Sequence, residues 1–275
     1  MRRLILCVLF CALLLPSLVA CRAASPEGLY ICVLDVGQSD AVLLSFGGQH
    51  LLVDTGTATQ RNTLLSALDA LEVESLSLLI THPHEDHYGN ARALLEHLPV
   101  QSLILGGKAS AELGYRLMLE TAIAQGTPLQ TWEDGLTLSL GGAVVEVLCP
   151  LPEAEEPNDA SLILRVRYGS CMLLLMGDAE QEAEQALLPA LQAGEVCDLL
   201  KVGHHGSDTA TTAAFLAAIT PKNAAISCGR DNEFAFPHAA VLSALDAVGC
   251  NVYRTDLLGD LNFYCDGTEV RFLGE

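Results

Sequence analysis

Thr81-His82-Pro83-His84-Glu85-Asp86-His87 is the stretch on which the reading of this chain turns. It follows the apolar run Leu76-Ser77-Leu78-Leu79-Ile80, which predicts a buried strand, Leu76–Thr81, feeding a turn before a helix. Three imidazoles and two carboxylates lie within six residues. Imidazole nitrogen and carboxylate oxygen are the donors that borderline divalent metals take. A turn can aim neighbouring side chains at different ions. A merely solvated His-rich turn has no reason to leave a buried strand directly, so the pattern predicts a metal loop.

Outward from this loop, short apolar runs alternate with helical periodicity. Strands are predicted at Leu29–Leu34, Ala41–Phe46, Leu51–Asp54 and Ser102–Leu105. Leu64, Leu65, Leu68 and Leu71 share one helical face, as do Ala91, Leu94, Leu95 and Leu98. A longer helix is predicted over Ala111–Gln125. Further strands are predicted at Leu136–Leu140, Val144–Leu148, Leu162–Tyr168 and Cys171–Met176. The second half repeats the alternation: a helix from Ala183 to Leu191, a strand at Leu199–Val202, a helix at Thr212–Ile219 and a strand at Ala224–Ser227. The helix marked by Val241, Leu245 and Val248 and three closing strands complete it. Strand clusters with helices in both halves fit two sheets packed face to face with helices outside.

The chain has 275 residues, 51% of them hydrophobic, which excludes a disordered chain or a fibre. The formal charge is −20, spread along the sequence. Such a surface repels polyanions at long range, so no stable coat on duplex DNA is expected. At the N-terminus, Arg2 and Arg3 precede the short apolar stretch Leu4–Leu15, with Pro16 and Ser17 after it. This is the pattern of a cleaved leader rather than a membrane span. Leu18-Val19-Ala20-Cys21 resembles the lipobox of bacterial lipoproteins, with ordinary cleavage near Ala23-Ala24 as the alternative. The expected organisation is a signal peptide at 1–20, a tether at 21–28 lipidated on Cys21, and one domain at 29–275. The domain would be extracytoplasmic, held to the membrane through the lipid alone. Seven cysteines follow Cys21, an odd number without CxxC spacing, so buried free thiols are expected.

With its HxHxDH pattern the chain resembles the metallo-β-lactamase superfamily. The resemblance implies an α/β fold of four layers, the αββα sandwich. It implies that His82 and His84 hold one metal while Asp86 and His87 hold the other. Leu175-Met176-Gly177-Asp178 resembles the motif whose Asp bridges both ions, and Leu51-Leu52-Val53-Asp54-Thr55-Gly56 the motif whose Asp54 supports the metal loop. Four further runs narrow the likeness: Asp35-Val36-Gly37-Gln38-Ser39-Asp40-Ala41, Asn158-Asp159-Ala160-Ser161, Gly177-Asp178-Ala179-Glu180 and Lys201-Val202-Gly203-His204-His205-Gly206-Ser207. In this order, with the tail Val252–Asp256, they are similar to the hydrolase domain of ComEC-type competence proteins. No stretch resembles the membrane channel of those proteins, so a role in DNA transport does not carry over.

The departures are specific. The His that many superfamily hydrolases carry between metal loop and bridging Asp is missing. His97 stands among helical leucines and is expected to be a surface or packing residue. Asn158 or Asp159 is expected to take that place through a water. A late Gly-His-Pro-His run has become Ala235-Phe236-Pro237-His238. Either the second metal site is weakened, or His238 reaches in instead. His204 and His205 are expected to serve as ligand, acid or charge clamp, with a loop pair capping a helix near Ser207 as the plainer alternative.

Together these readings predict one or two divalent ions, Zn or Mn, and hydrolysis by activated water, with Asp86, Asp178, His204 and His205 at the reaction centre. The expected substrate is a phosphodiester, in a short oligonucleotide or a cell-wall polymer. A β-lactamase or lactonase, and a non-catalytic metal-binding surface module, are the competing readings.

Overall fold

Strands buried on both faces build the centre of the molecule. In the computed structural model, residues 27–106, 108–132, 135–191 and 195–274 are described. The leader, Cys21 and most of the tether lie outside them. The first half contains β1 (Leu29–Val33), β2 (Val42–Phe46), β3 (Gln49–Val53), α1 (Arg61–Ala70), β4 (Leu76–Ile80), α2 (Glu85–Tyr88), α3 (Ala91–His97), β5 (Val100–Leu105), α4 (Leu113–Gln125) and β6 (Leu129–Thr131). Next come β7 (Thr137–Leu140), β8 (Ala143–Leu148), β9 (Ile163–Tyr168), β10 (Cys171–Leu175), α5 (Gln181–Leu187), β11 (Leu199–Lys201), α6 (Ala213–Ile219) and β12 (Asn223–Ile226). The chain closes with α7 (Ala239–Ala247), β13 (Asn251–Arg254), α8 (Thr255–Leu258), β14 (Leu261–Cys265) and β15 (Val270–Gly274).

The strands form two sheets, ordered β15-β14-β1-β2-β3-β4-β5-β6 and β13-β12-β11-β10-β9-β8-β7. Each sheet has a parallel part, β3 to β6 in one and β10 to β13 in the other. Period-two alternation sorts the side chains into layers. In β10, Cys171, Leu173 and Leu175 face the other sheet, while Met172 and Leu174 face helices. In β4, Leu79 enters the inter-sheet core, and Leu76, Leu78 and Ile80 pack toward α1, α3 and α4. Helices α5, α6 and α7 cover the other outer face. The result is the expected αββα sandwich, and double-sided burial is why its central strands show as continuous apolar runs.

Besides the single-turn helix α8, two elements differ from expectation. The helix expected through Leu191 stops at Leu187 and tightens to a 3-10 turn over 188–190, because Pro189 cannot continue it. Strand β6 was not anticipated: it is a three-residue edge strand, exposed throughout, without alternation to betray it. The candidate site residues fall where the parallel strands end. Ligand clefts of α/β sheets lie at such carboxyl ends.

Candidate metal centre

Asp54, just past β3, adopts a left-handed φ of 63°. Its Oδ1 accepts the Thr81 backbone N–H at 2.8 Å and its Oδ2 accepts the Thr81 hydroxyl at 2.8 Å. The same Oδ2 accepts from His87 Nδ1 at 2.8 Å. One buried carboxylate thus ties the end of β4 to the single turn α2, and fixes the His87 tautomer so that Nε2 faces the cleft. His82 is fully buried, and His84 Nδ1 lies 3.0 Å from His82 Nε2.

The other half of the centre comes from β10 and β11. Gly177, at φ 53°, lets the chain turn beside the metal loop: a Cβ there would lie 3.2 Å from Thr81 Cβ and 3.3 Å from Ser161 Cβ. Asp178 follows, its N–H donating to Ser161 Oγ at 3.3 Å. After β11 the 3-10 turn Gly203–Gly206 holds His204 and His205 both left-handed, at φ 46° and 54°. Left-handed backbone at non-glycine residues costs about 1–2 kcal/mol each. Such strain persists only where surrounding contacts impose it. Helix α6 begins only at Ala213, capped by Thr212, so the reading of the His pair as a cap near Ser207 is not met.

These segments converge. His87 Nε2 is 3.3 Å and His205 Nε2 is 3.7 Å from Asp178 oxygens, and both nitrogens lie close to Asp86 Oδ2, at 3.8 and 3.4 Å. Asp86, His87, Asp178 and His205 therefore form a four-donor cluster. Asp178 Oδ2, the oxygen nearest His87, also lies 3.9 Å from His82 Nε2 and 3.8 Å from His204 Nε2. His87 Nε2, His205 Nε2 and Asp178 Oδ1 are buried without hydrogen-bond partners. Orphaned buried donors are costly. Their convergence, and the hard–borderline mix of N and O atoms, fit a divalent metal centre at Asp178.

The charges agree. Burial alone would raise Asp178, but the imidazoles of His87 and His205 hold it well below the usual carboxylate range. Burial would lower His205, yet Asp178 and Asp40 push it up to about 10. His87 is raised well above its ordinary value for the same reason, with Asp178 and Asp54 outweighing desolvation. His82 is driven down by burial and by the neighbouring His87, and stays neutral and ready to donate its lone pair.

The supporting residues include several that the motifs alone did not assign. His205 Nδ1 donates to the Ser227 carbonyl at 3.0 Å and lies 3.3 Å from Asp40 Oδ1. Asp40 is paired at 2.7 Å with Lys201, itself buried, so the early Asp-Val-Gly-Gln-Ser-Asp run does reach the centre. Glu180 sits 2.8 Å from His204 Nδ1 and accepts from Asn158 Nδ2 at 3.1 Å. Asn158 thus acts on His204 through Glu180, and the carboxylate was legible in Gly-Asp-Ala-Glu. Asp159 instead accepts from the Glu180 and Ala183 N–H groups at the start of α5, a structural use that corrects its expected place beside the ions. His238 is also corrected: its Nδ1 faces Asp208, at 3.0 Å from the carboxylate and 3.1 Å from the N–H, not the metal cluster. His205 fills the set that the loss of a His at Phe236 was expected to weaken. His97 pairs with Asp69 at 2.9 Å, remote from the centre.

An αββα sandwich with an HxHxDH loop, a buried Asp at the centre of a candidate metal cluster and a second Asp supporting the loop is the class these observations define. A match to the metallo-beta-lactamase superfamily spans residues 34–230, and the chain belongs to that superfamily. It is 30% identical over 262 residues to ComE operon protein 3 of Bacillus subtilis (strain 168), covering 87% of this chain and 33% of that protein. It is 33% identical over 257 residues to Competence protein ComA of Neisseria gonorrhoeae, covering 91% of this chain and 35% of that one. The chain thus spans about a third of the length of these relatives. Among solved structures, the metallo-beta-lactamase fold protein YhfI from Bacillus subtilis matches with a TM-score of 0.59 at 14% identity, over 86% of this chain and 100% of that one. That likeness concerns the fold.

Proposed function

We propose that this chain is a metal-dependent phosphodiesterase that works outside the cytoplasm. The observation that carries the reading is Asp178 at the centre of the imidazoles and beside Asp86, its two oxygens serving two donor groups: His205 Nε2 near Oδ1, and the Nε2 atoms of His87, His82 and His204 near Oδ2. Divalent ions held there, zinc or manganese by donor chemistry, supply Lewis acidity toward a phosphoryl oxygen and activation of water near neutral pH. Asp178 offers both oxygens and so sets the spacing of the two groups. Asp54 and Ser227 aim the Nε2 atoms of His87 and His205 by engaging Nδ1. His204 is the half-exposed member, with Nδ1 held by Glu180 and Nε2 turned to the cleft. It is placed to pass a proton to the leaving oxygen as the P–O bond breaks.

A phosphodiester is favoured over a lactam or lactone because the third-motif His is missing and the motif set is that of the ComEC-type hydrolase domain. The test is turnover of bis(4-nitrophenyl) phosphate, a lactone and a β-lactam by protein loaded with Mn²⁺ or Zn²⁺. Cleavage of the phosphodiester is expected. Asp178→Asn should lower it by about two orders of magnitude or more, since one charge served both donor groups. His97→Ala should leave it unchanged. Failure of the loaded protein to cleave any of the three returns the chain to the metal-binding module reading.

A further inference from the structure

The position where a His gives way to Phe236 carries an inference that rests on the phosphodiesterase reading and extends it to the substrate's ester group. Phe234 and Phe236 stack with ring centroids 5.4 Å apart at 21°. Phe236 in turn stands edge-on to the His204 ring at 5.6 Å. Phe234 is 53% exposed, the one aromatic among the strongly exposed large apolar side chains of the described residues.

The loop that presents this pair is braced from within. Asn232 Nδ2 donates to the Gly229 and Phe236 carbonyls at 2.9 and 2.7 Å, and its Oδ1 accepts the Phe236 N–H at 2.9 Å. The loop is also docked on the His turn, where the His238 N–H donates to the Gly206 carbonyl at 2.9 Å. The stacked pair is therefore held at a fixed place, Phe236 half-buried against His204 and Phe234 turned outward, its exposed face left uncovered at a cost in hydrophobic burial.

We propose that Phe234 and Phe236 form a stacking platform for a planar heteroaromatic ring carried one ester group from the scissile phosphate, as the base of a nucleotide is. The charge pattern supports a ring contact over a backbone track. The chain is strongly acidic, and the exposed Asp231 and Glu233 stand just before Phe234 in the same loop. Anionic substrates gain nothing from such a surface at long range. Base–aromatic stacking is worth about 1–3 kcal/mol per base and needs no positive groove. The platform therefore selects a short substrate held by one ring at the metal centre.

The experiment compares a thymidine dinucleotide joined by one phosphodiester with its counterpart carrying abasic residues at both positions. Wild type should prefer the base-bearing substrate in kcat/KM by about five- to a hundredfold. Phe234→Leu, which keeps an apolar side chain but removes the π-face, should reduce that ratio to about one with metal content unchanged. Phe234→Trp should restore it. Equal cleavage of both substrates by wild type, or a preference that survives Phe234→Leu, overturns the platform. Cleavage of bis(4-nitrophenyl) phosphate without cleavage of either dinucleotide also overturns it, while leaving the phosphodiesterase reading intact. Absence of all phosphodiester cleavage ends both.

Discussion

His204 and His205 are chemically identical neighbours that the backbone sends to opposite tasks. Left-handed φ at both residues throws one ring into the buried donor cluster and leaves the other half-exposed at the cleft. His205→Ala should therefore lose bound metal, read by elemental analysis after gel filtration, and activity with it. His204→Ala should keep its metal and lose about a hundred- to ten-thousandfold in kcat, the usual share of a positioned acid. Equal metal loss in both variants would make His204 a ligand. The sequence showed that one of the pair mattered, but the division of labour depends on a dihedral angle that no motif encodes. A second residue-scale outcome follows from His205, whose pKa in the metal-free protein stands at about 10 against about 6.5 in an unfolded chain. A raised pKa stabilises the fold fully below pH 6.5, and that contribution fades as pH climbs toward 10. Metal ligation needs the neutral ring, so metal affinity should rise over the same window and binding at pH 8 should release protons. Metal titration in weakly buffered solution with a pH indicator checks this. Binding without proton release would show that His205 is already neutral.

At the scale of elements, the site is a junction between strand ends. β3 brings Asp54, β4 the metal loop, β10 Asp178 and β11 the His pair. Gly177 is a tight point of that junction, with a left-handed φ and with Thr81 and Ser161 closer to a Cβ there than ordinary van der Waals contact. Gly177→Ala should destabilise the protein by about 1–3 kcal/mol, through strain and overpacking combined. It should also weaken metal binding, because Asp178 is the next residue. Thermal unfolding with and without metal measures both, and a variant unchanged in both would remove Gly177 from the argument. Most strands were legible because burial on two faces writes them as unbroken apolar runs. The metal loop was legible because its donors are contiguous. Asp40, Lys201 and Ser227 were not assigned, since they meet across 161 and 188 residues of sequence, as the Lys201–Asp40 and Ser227–Ser39 bonds show. Local pattern carries no signal for such pairings. β6 escaped because an exposed edge strand has no periodicity to read.

For the whole molecule, seven cysteines are buried and unpaired among the described residues, Cys149, Cys171 and Cys265 between the sheets and the other four in the outer layers. Burial drives Cys149 and Cys250 up to about 11, so neither is a thiolate near neutrality. Thiol labelling of the folded domain should be slow, becoming rapid on denaturation. Mass spectrometry that found stable disulfides would contradict this. Cys21 belongs to the proposed lipid anchor. Its reading comes from Leu18-Val19-Ala20-Cys21 after a short apolar stretch that Arg2 and Arg3 precede. No described helix is long and apolar enough to cross a membrane. If the lipid is the attachment, Cys21→Ser should move the protein from the membrane fraction to the soluble one and abolish incorporation of labelled lipid. A single acyl chain anchors only marginally, whereas two or more hold stably, so wild type should resist salt extraction. Retention of the variant in membranes, together with no lipid label on wild type, would assign attachment to something other than Cys21.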